Sequence, residues 1–387
     1  MTKAAGRVIP FRASNDRRLR GFDVNQAPFI VAWEITRACA FACLHCRAEA
    51  QPKRHPLELS AEEAMDVVDQ LKETGDPILV ITGGDPLMRP DVYDIIAYAT
   101  SVGLRTSLTP TATALVTPKS LALARDAGAR RIAISLDGPD PAVHDRFRGF
   151  AGSFERTMQI MADVRDAGLP LQINTTVSRH NVSVLGLMPD IVARTGAVQW
   201  SVFFLVPTGR GRAEDMVSPA EHERLYNWLY DLSRDATFDI KATAAPAYRR
   251  VAIQRAREEG GSGPVAGAGY RFEDGLDRPV VSINDGKGFA FISHTGDVYP
   301  SGFLPIKAGN IRERTFSQIY RFSPLFQILR DPIFLGGKCG DCEFVRVCGG
   351  SRARAYGVTG DFLVADPSCV YQPKGVRSRP TPASPPA

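Results

Sequence analysis

Seven cysteines carry most of the chemistry legible in this 387-residue chain, and they are far from evenly spread. Cys39, Cys43 and Cys46 stand in the spacing CxxxCxxC near the start, and Cys339, Cys342, Cys348 and Cys369 stand near the end, with none between the two groups. In a reducing compartment such clusters read as metal sites rather than disulfides. Three thiolates on one short loop hold three irons of a cubane and leave the fourth open to a further ligand, whereas four thiolates are the set that a fully ligated 4Fe-4S cluster takes. Zinc is the alternative at each place. At the first it would want a fourth Cys or His at finger spacing, and His45 is cramped between the second and third cysteines. At the second, four cysteines alone do not choose between zinc and iron.

The elements that must position these residues follow from periodicity. Residues 29–36 (FIVAWEIT) read as a strand, and Ser60 with Glu63 forms the capping box of a helix. Strands are expected at residues 77–82, 104–108, 131–138, 171–177 and 198–206, with helices after Pro90 and near residues 119–127, 154–167 and 184–194. The strands are too apolar to lie open on one face, so the expectation is a parallel sheet covered by helices, six strand-helix units ending near Val206. One helix opened by Ser218 and Glu221, a glycine-rich loop at residues 260–269, and a hairpin at residues 289–303 turning at 295–297 follow. The expected organisation is an N-terminal extension (1–27), a core (28–206), a helical and loop insertion (207–285), a cluster domain (286–372) and a disordered tail (373–387).

Composition excludes some classes. Net charge is +5, with 47 basic and 42 acidic residues, and the basic residues are scattered apart from patches at residues 17–20 and 210–212. No stripe of basic and aromatic residues marks a nucleic-acid surface. No apolar run is long enough to cross a bilayer and no signal peptide opens the chain, so a cytoplasmic protein without a membrane or nucleic-acid partner is expected.

With the CxxxCxxC loop directly after the first strand, the sequence resembles the radical S-adenosylmethionine (SAM) superfamily, and the resemblance covers residues 28–206. It implies an α/β fold, a partial (β/α)6 barrel with a 4Fe-4S cluster on Cys39, Cys43 and Cys46. It also implies that SAM binds at the open iron. His45 stands where the family has an aromatic residue near the adenine. Gly83, Gly84 and Asp85 match the turn that receives the SAM ammonium, with Asp in place of the commoner Glu. Ser135 and Asp137 match positions near the ribose and methionine carboxylate, Arg148 an arginine that pairs with that carboxylate, and Asn174 and Leu205 positions that meet ribose and adenine.

The second cysteine group resembles the C-terminal SPASM and twitch domains of the same superfamily. A two-cluster SPASM domain would have further cysteines where this chain has Ser301 and Arg352, so the resemblance implies a small twitch-like domain with one auxiliary 4Fe-4S cluster on Cys339, Cys342, Cys348 and Cys369. The volume given up by the missing cluster is expected to serve as a substrate pocket lined by Ser301, His294 and Arg352. The implied enzyme draws an electron from a flavodoxin- or ferredoxin-type donor, cleaves SAM to a 5′-deoxyadenosyl radical and abstracts hydrogen from a small-molecule or peptide substrate. The nearest likeness is to proteins neighbouring the heme- and heme d1-forming enzymes and the peptide maturases. A tetrapyrrole is therefore the first expectation, with Arg210, Arg212, Arg249 and Arg250 as candidates for its propionates and Tyr248 or His294 for proton transfer. A maturase of a ribosomally made peptide is the second, although about 28 residues before the first strand are few for a peptide-recognition domain. A zinc-dependent binding protein is the alternative of another class.

Overall fold

Strand residues with no polar face can only be satisfied between two helical layers or inside a closed barrel, and that is where they lie. The computed structural model describes residues 22–260 and 283–375. The first 21 residues of the expected extension, most of the glycine-rich stretch and the tail beyond residue 375 fall outside the described residues.

Six strand-helix units form as expected. Strands β1 (Ile30–Glu34), β2 (Ile78–Thr82), β3 (Thr106–Leu108), β4 (Arg131–Ser135), β5 (Leu171–Val177) and β6 (Gln199–Phe204) alternate with helices. These are α1 (Ala61–Gly75), α2 (Val92–Ser101), α3 (Pro118–Asp126), then α4 (Pro141–Arg148) and α5 (Ser153–Asp166) together between β4 and β5, and α6 (Met188–Thr195) before β6. The Ser60–Glu63 capping box is present. Val31, Trp33 and Ile35 are fully buried on the helix side of β1, as are Ile132 and Ile134 on β4 and Ile173 on β5. Each such side chain contributes about 1.5–3 kcal/mol through burial.

The region expected as an insertion instead continues the sheet. After α7 (Pro219–Asp235), strand β7 (Asp239–Thr243) pairs in parallel with β6, and α8 (Ala247–Glu258) follows. The sequence hides β7 because DIKAT alternates weakly and is only five residues long. At the other edge, β8 (Phe289–Ile292) pairs in parallel with β1, and then turns through residues 293–296 into antiparallel β9 (Asp297–Tyr299) and β10 (Gly309–Asn310). The sheet has ten strands in the order β10-β9-β8-β1-β2-β3-β4-β5-β6-β7. The cluster-domain hairpin is therefore joined to the barrel sheet by main-chain hydrogen bonds. Four short helices complete the described chain: α9 (Phe316–Phe322), α10 (Pro324–Arg330), α11 (Gly337–Asp341) and α12 (Arg352–Thr359). No described helix is long and apolar enough to cross a membrane.

Candidate active site and cluster-binding residues

All the parallel strands end on one face, and the CxxxCxxC loop lies across it, pinned from four directions. Cys39 N–H donates to Gln51 O (2.8 Å), Asp85 N–H to Ala38 O (2.7 Å), Leu44 N–H to Phe147 O (3.0 Å) and Arg210 N–H to Cys46 O (3.0 Å). Cys39 and Cys43 are buried and cluster with Phe41 and Cys46. Phe150 stacks on Phe41 at 4.7 Å and covers the loop.

The glycines of the β2 turn are required by distance. A Cβ on Gly83 would stand 2.6 Å from Thr36 O, and one on Gly84 2.6 Å from Arg37 O, so only bare backbone packs against the cysteine loop. Asp85 is fully buried, and its carboxylate accepts from Thr113 Oγ1 (2.7 Å) and from Leu87 N–H (3.2 Å). Burial pushes its carboxyl above the ordinary value against those hydrogen bonds. Asp85 thus fixes the turn. Thr111, which donates to Gly84 O at 2.8 Å and lies 3.8 Å from Cys39 Sγ, is a neighbour that sequence reasoning missed. It follows a three-residue strand and has no spacing signal.

Arg148 sits at the centre of the charge arrangement. Its Nη2 is 2.7 Å from Asp137 Oδ2, and its Nη1 points at Cys43 Sγ (3.8 Å). Asp137 is buried and also accepts from Thr176 N–H at 2.7 Å. Burial raises its carboxyl, and Arg148 opposes that rise. Asp137 is therefore placed to hold Arg148. Ser135 and Asn174 are half-buried register partners on β4 and β5, and Leu205 is buried just past β6. His45 stacks on Phe147 at 4.3 Å. Burial and then Arg148 and Arg210 push its imidazole well below the ordinary value, so it is neutral.

The donor set fits a cluster and SAM. Phe41 N–H points at Cys39 Sγ (3.4 Å) and Ala50 N–H at Cys46 Sγ (3.5 Å), donors of the kind that meet the sulfurs of a cluster. Around them, His45 Nδ1 and Arg210 Nη2 are buried polar atoms without a protein partner, as a ligand-binding wall requires.

Beside the loop lies a network that sequence reasoning did not name. Glu34, fully buried on β1, bonds Arg47 (2.9 Å), His294 Nδ1 (2.9 Å) and Arg37 (3.1 Å). Burial pushes its carboxyl up, but Arg47, His294 and Arg37 outweigh this and hold it below the usual range. Its signal was a carboxylate inside the apolar run VAWEI. His294 opens on a cavity of about 410 Å³ lined also by Arg37, Lys53, His55 and Tyr299.

The four later cysteines line one small cavity, with Arg250 and Lys338. Backbone N–H groups aim at three of the sulfurs: Asp366 at Cys339 (3.3 Å), Phe344 at Cys342 (3.4 Å) and Gly350 at Cys348 (3.4 Å). Among the described residues no three His, Cys, Asp or Glu side chains are grouped as ligands of a single ion.

The other candidate residues are placed as follows. Tyr248 is buried in the core beside Tyr226. Arg249 donates to Ile283 O (2.8 Å), and Arg250 pairs with Glu223 beside the second cysteine group. Arg212 is exposed and near Glu214, while Arg210 clasps the first loop through Cys43 O (2.9 Å). Next to the positions expected to line a substrate pocket, Leu304 and Ala353 pack with Val206 and Leu329 in a small apolar cluster. Ser301 adjoins Gly302, which packs against Arg47 near the first loop, but Arg352 is buried among carbonyls of the C-terminal segment.

A family model of the radical SAM superfamily matches residues 33–182. An AdoMet-dependent heme synthase of Nitratidesulfovibrio vulgaris is 45% identical over 89% of this chain and 93% of its own length. The mycofactocin maturase MftC of Mycolicibacterium smegmatis is 31% identical over 91% of this chain and 84% of its own. Among solved structures, Streptococcus suis SuiB bound to S-adenosylmethionine superposes with a TM-score of 0.68 at 16% identity, covering 89% of this chain and 78% of that one.

Proposed function

The chain belongs to the radical SAM superfamily, and from that premise we propose that it acts on a tetrapyrrole in the making of a heme-type cofactor. The observation that carries this reading is the 45% identity with a heme synthase across nearly the full length of both proteins, against 31% with a peptide maturase. As a radical SAM enzyme it uses a 4Fe-4S cluster and SAM. When bound, the cluster supplies the electron that splits SAM into methionine and a hydrogen-abstracting radical.

The residues have distinct tasks in this proposal. Cys39, Cys43 and Cys46 hold the cluster and leave one iron open. The Gly83–Gly84 backbone, fixed by Asp85, receives the SAM ammonium, and Arg148, held by Asp137, receives its carboxylate. Ser135, Asn174, Leu205 and neutral His45 border the nucleoside. His294, oriented by Glu34, is the group placed to move a proton at the mouth. Cys339, Cys342, Cys348 and Cys369 hold one auxiliary cluster. The external electron comes from a flavodoxin- or ferredoxin-type donor.

Anaerobic protein with SAM and dithionite, offered iron porphyrins bearing propionate side chains, should release 5′-deoxyadenosine above the substrate-free level and yield a heme-type product by mass. Release only with a peptide would favour the maturase reading, which the MftC identity supports.

A further inference from the structure

Arg352 is among the largest fully buried side chains of the described protein, and its burial needs a physical account. A guanidinium keeps its charge in any protein, so taking it out of water is costly unless its donors and its charge are met. Part of that is visible. Nη1 donates to Phe362 O (2.8 Å) and Val364 O (2.7 Å), and Nε to Gly350 O (3.3 Å). These are neutral carbonyls. No carboxylate pairs with Arg352 among the described residues: its neighbour Asp366 is turned to Arg354, Ser351 and Ser368. Nη2 is buried and has no partner at all.

The direction of that donor is informative. A Cβ built on Gly350 would overlap Arg352 Nη2 and come within 2.9 Å of Cys339 Sγ, so the donor and the sulfur both border the same bare glycine. Gly350 itself lines the cavity of the four cysteines and has φ +68°, where side chains are strained. We propose that Arg352 is a positioning residue for the auxiliary cluster: with the cluster held, its unmet N–H donates to the sulfur of Cys339, and its charge offsets the negative charge that four thiolates bring to the cavity. A cation and a sulfur-directed hydrogen bond both favour the reduced form, so Arg352 raises the reduction potential of that cluster. The inference rests on the reading that Cys339, Cys342, Cys348 and Cys369 bind a cluster. It gives the residue that replaces an inner-cluster thiolate a task toward the outer one.

The test uses full-length protein carrying Cys39, Cys43 and Cys46 all changed to Ala, so that the outer cluster is read alone. Iron and sulfide analysis comes first: if this protein binds no iron, the cluster reading itself fails. With about four irons present, redox titration by electron paramagnetic resonance compares Arg352→Gln with its parent. The expected result is at least a tenfold loss in the equilibrium constant for one-electron reduction, about 59 mV toward more negative potential. An unchanged potential overturns the proposal. Should Arg352→Gln fail to hold iron, Arg352→Lys decides: a cluster regained with the cation supports the proposal, and one still lost overturns it.

Discussion

The two cysteine groups are built on opposite plans. The first lies on a loop whose hold comes from distant parts of the chain: Gln51, the β2 turn, the end of α4 and Arg210 each take one backbone bond to it. Its sulfurs share their surroundings with Arg148 and with buried polar atoms left over for a ligand, His45 Nδ1 and Arg210 Nη2. The second group is drawn from a single stretch of about 30 residues, and four thiols close around one cavity. Three thiols and spare polar atoms make a site that invites another molecule. Four thiols make a site that is complete once its cluster is in. Ligand number and second-layer donors thus separate a reacting centre from a resident one within the same protein.

Removing the first group should produce the largest effect. Cys39, Cys43 and Cys46 all changed to Ala should abolish SAM cleavage outright while about four irons remain in the C-terminal cavity. Chromatographic assay of 5′-deoxyadenosine with iron analysis checks both halves, and ordinary cleavage by this protein would break the comparison. The converse change is milder. Cys339 and Cys342 changed to Ala should lower iron from about eight to about four per chain and leave substrate-free SAM cleavage intact. If cleavage is lost as well, the second site is not the separate resident centre described above.

Within the first site, Arg148 and Asp85 should part company. Arg148→Ala should weaken SAM binding by about 1.5–3 kcal/mol, the loss of a charge-assisted hydrogen bond, with iron content unchanged. Asp85→Ala should act on stability instead, by about 1 kcal/mol or more, because its carboxylate caps the turn at Leu87 N–H. Calorimetric titration with SAM and urea unfolding separate the two outcomes. Equal losses of SAM affinity would place Asp85 on the ligand after all.

The cysteine spacing and the GGDP turn were legible because each is a local pattern just after a strand, and Arg148 because it stands in the short HDRFRG stretch that closes α4. What escaped is what the fold assembles from far apart. Thr111 and Thr113 matter through the turn after β2, some 26 residues earlier in the chain, and Glu34 reaches His294 across 260 residues. The pocket expected around Ser301 and Arg352 meets the same limit: that their neighbours Leu304 and Ala353 pack with Leu329 in one small apolar cluster is set by the fold and by no local pattern. A missing thiolate shows in a sequence, but what packs around its place does not.

The smallest expected effect again contrasts the two regions, through one buried histidine behind each. His144 backs the first site: its Nδ1 accepts from Asp137 N–H at 3.1 Å, which requires an unprotonated nitrogen there. His222 lies on the other side, against the Arg354–Asp366 pair of the C-terminal segment, and its Nδ1 meets Ser218 O at 3.0 Å. Burial pushes both down, with Arg148 adding to it for His144 and Arg354 for His222, to about 3 and about 4 respectively. Both are neutral in the folded protein, so below pH 6.5 the unfolded chain binds more protons and stability rises with pH. Their contribution is fully present above that value and fades as pH falls toward 4 for His222 and toward 3 for His144. From pH 7.5 to 5.5 each should account for about 1 kcal/mol of lost stability, read as the shift in urea unfolding monitored by tryptophan fluorescence. His144→Gln and His222→Gln should each flatten that dependence by a comparable share. A slope that neither change touches would mean that these rings are not held neutral, and that the two regions do not share a buried, uncharged backing behind their charged arginines.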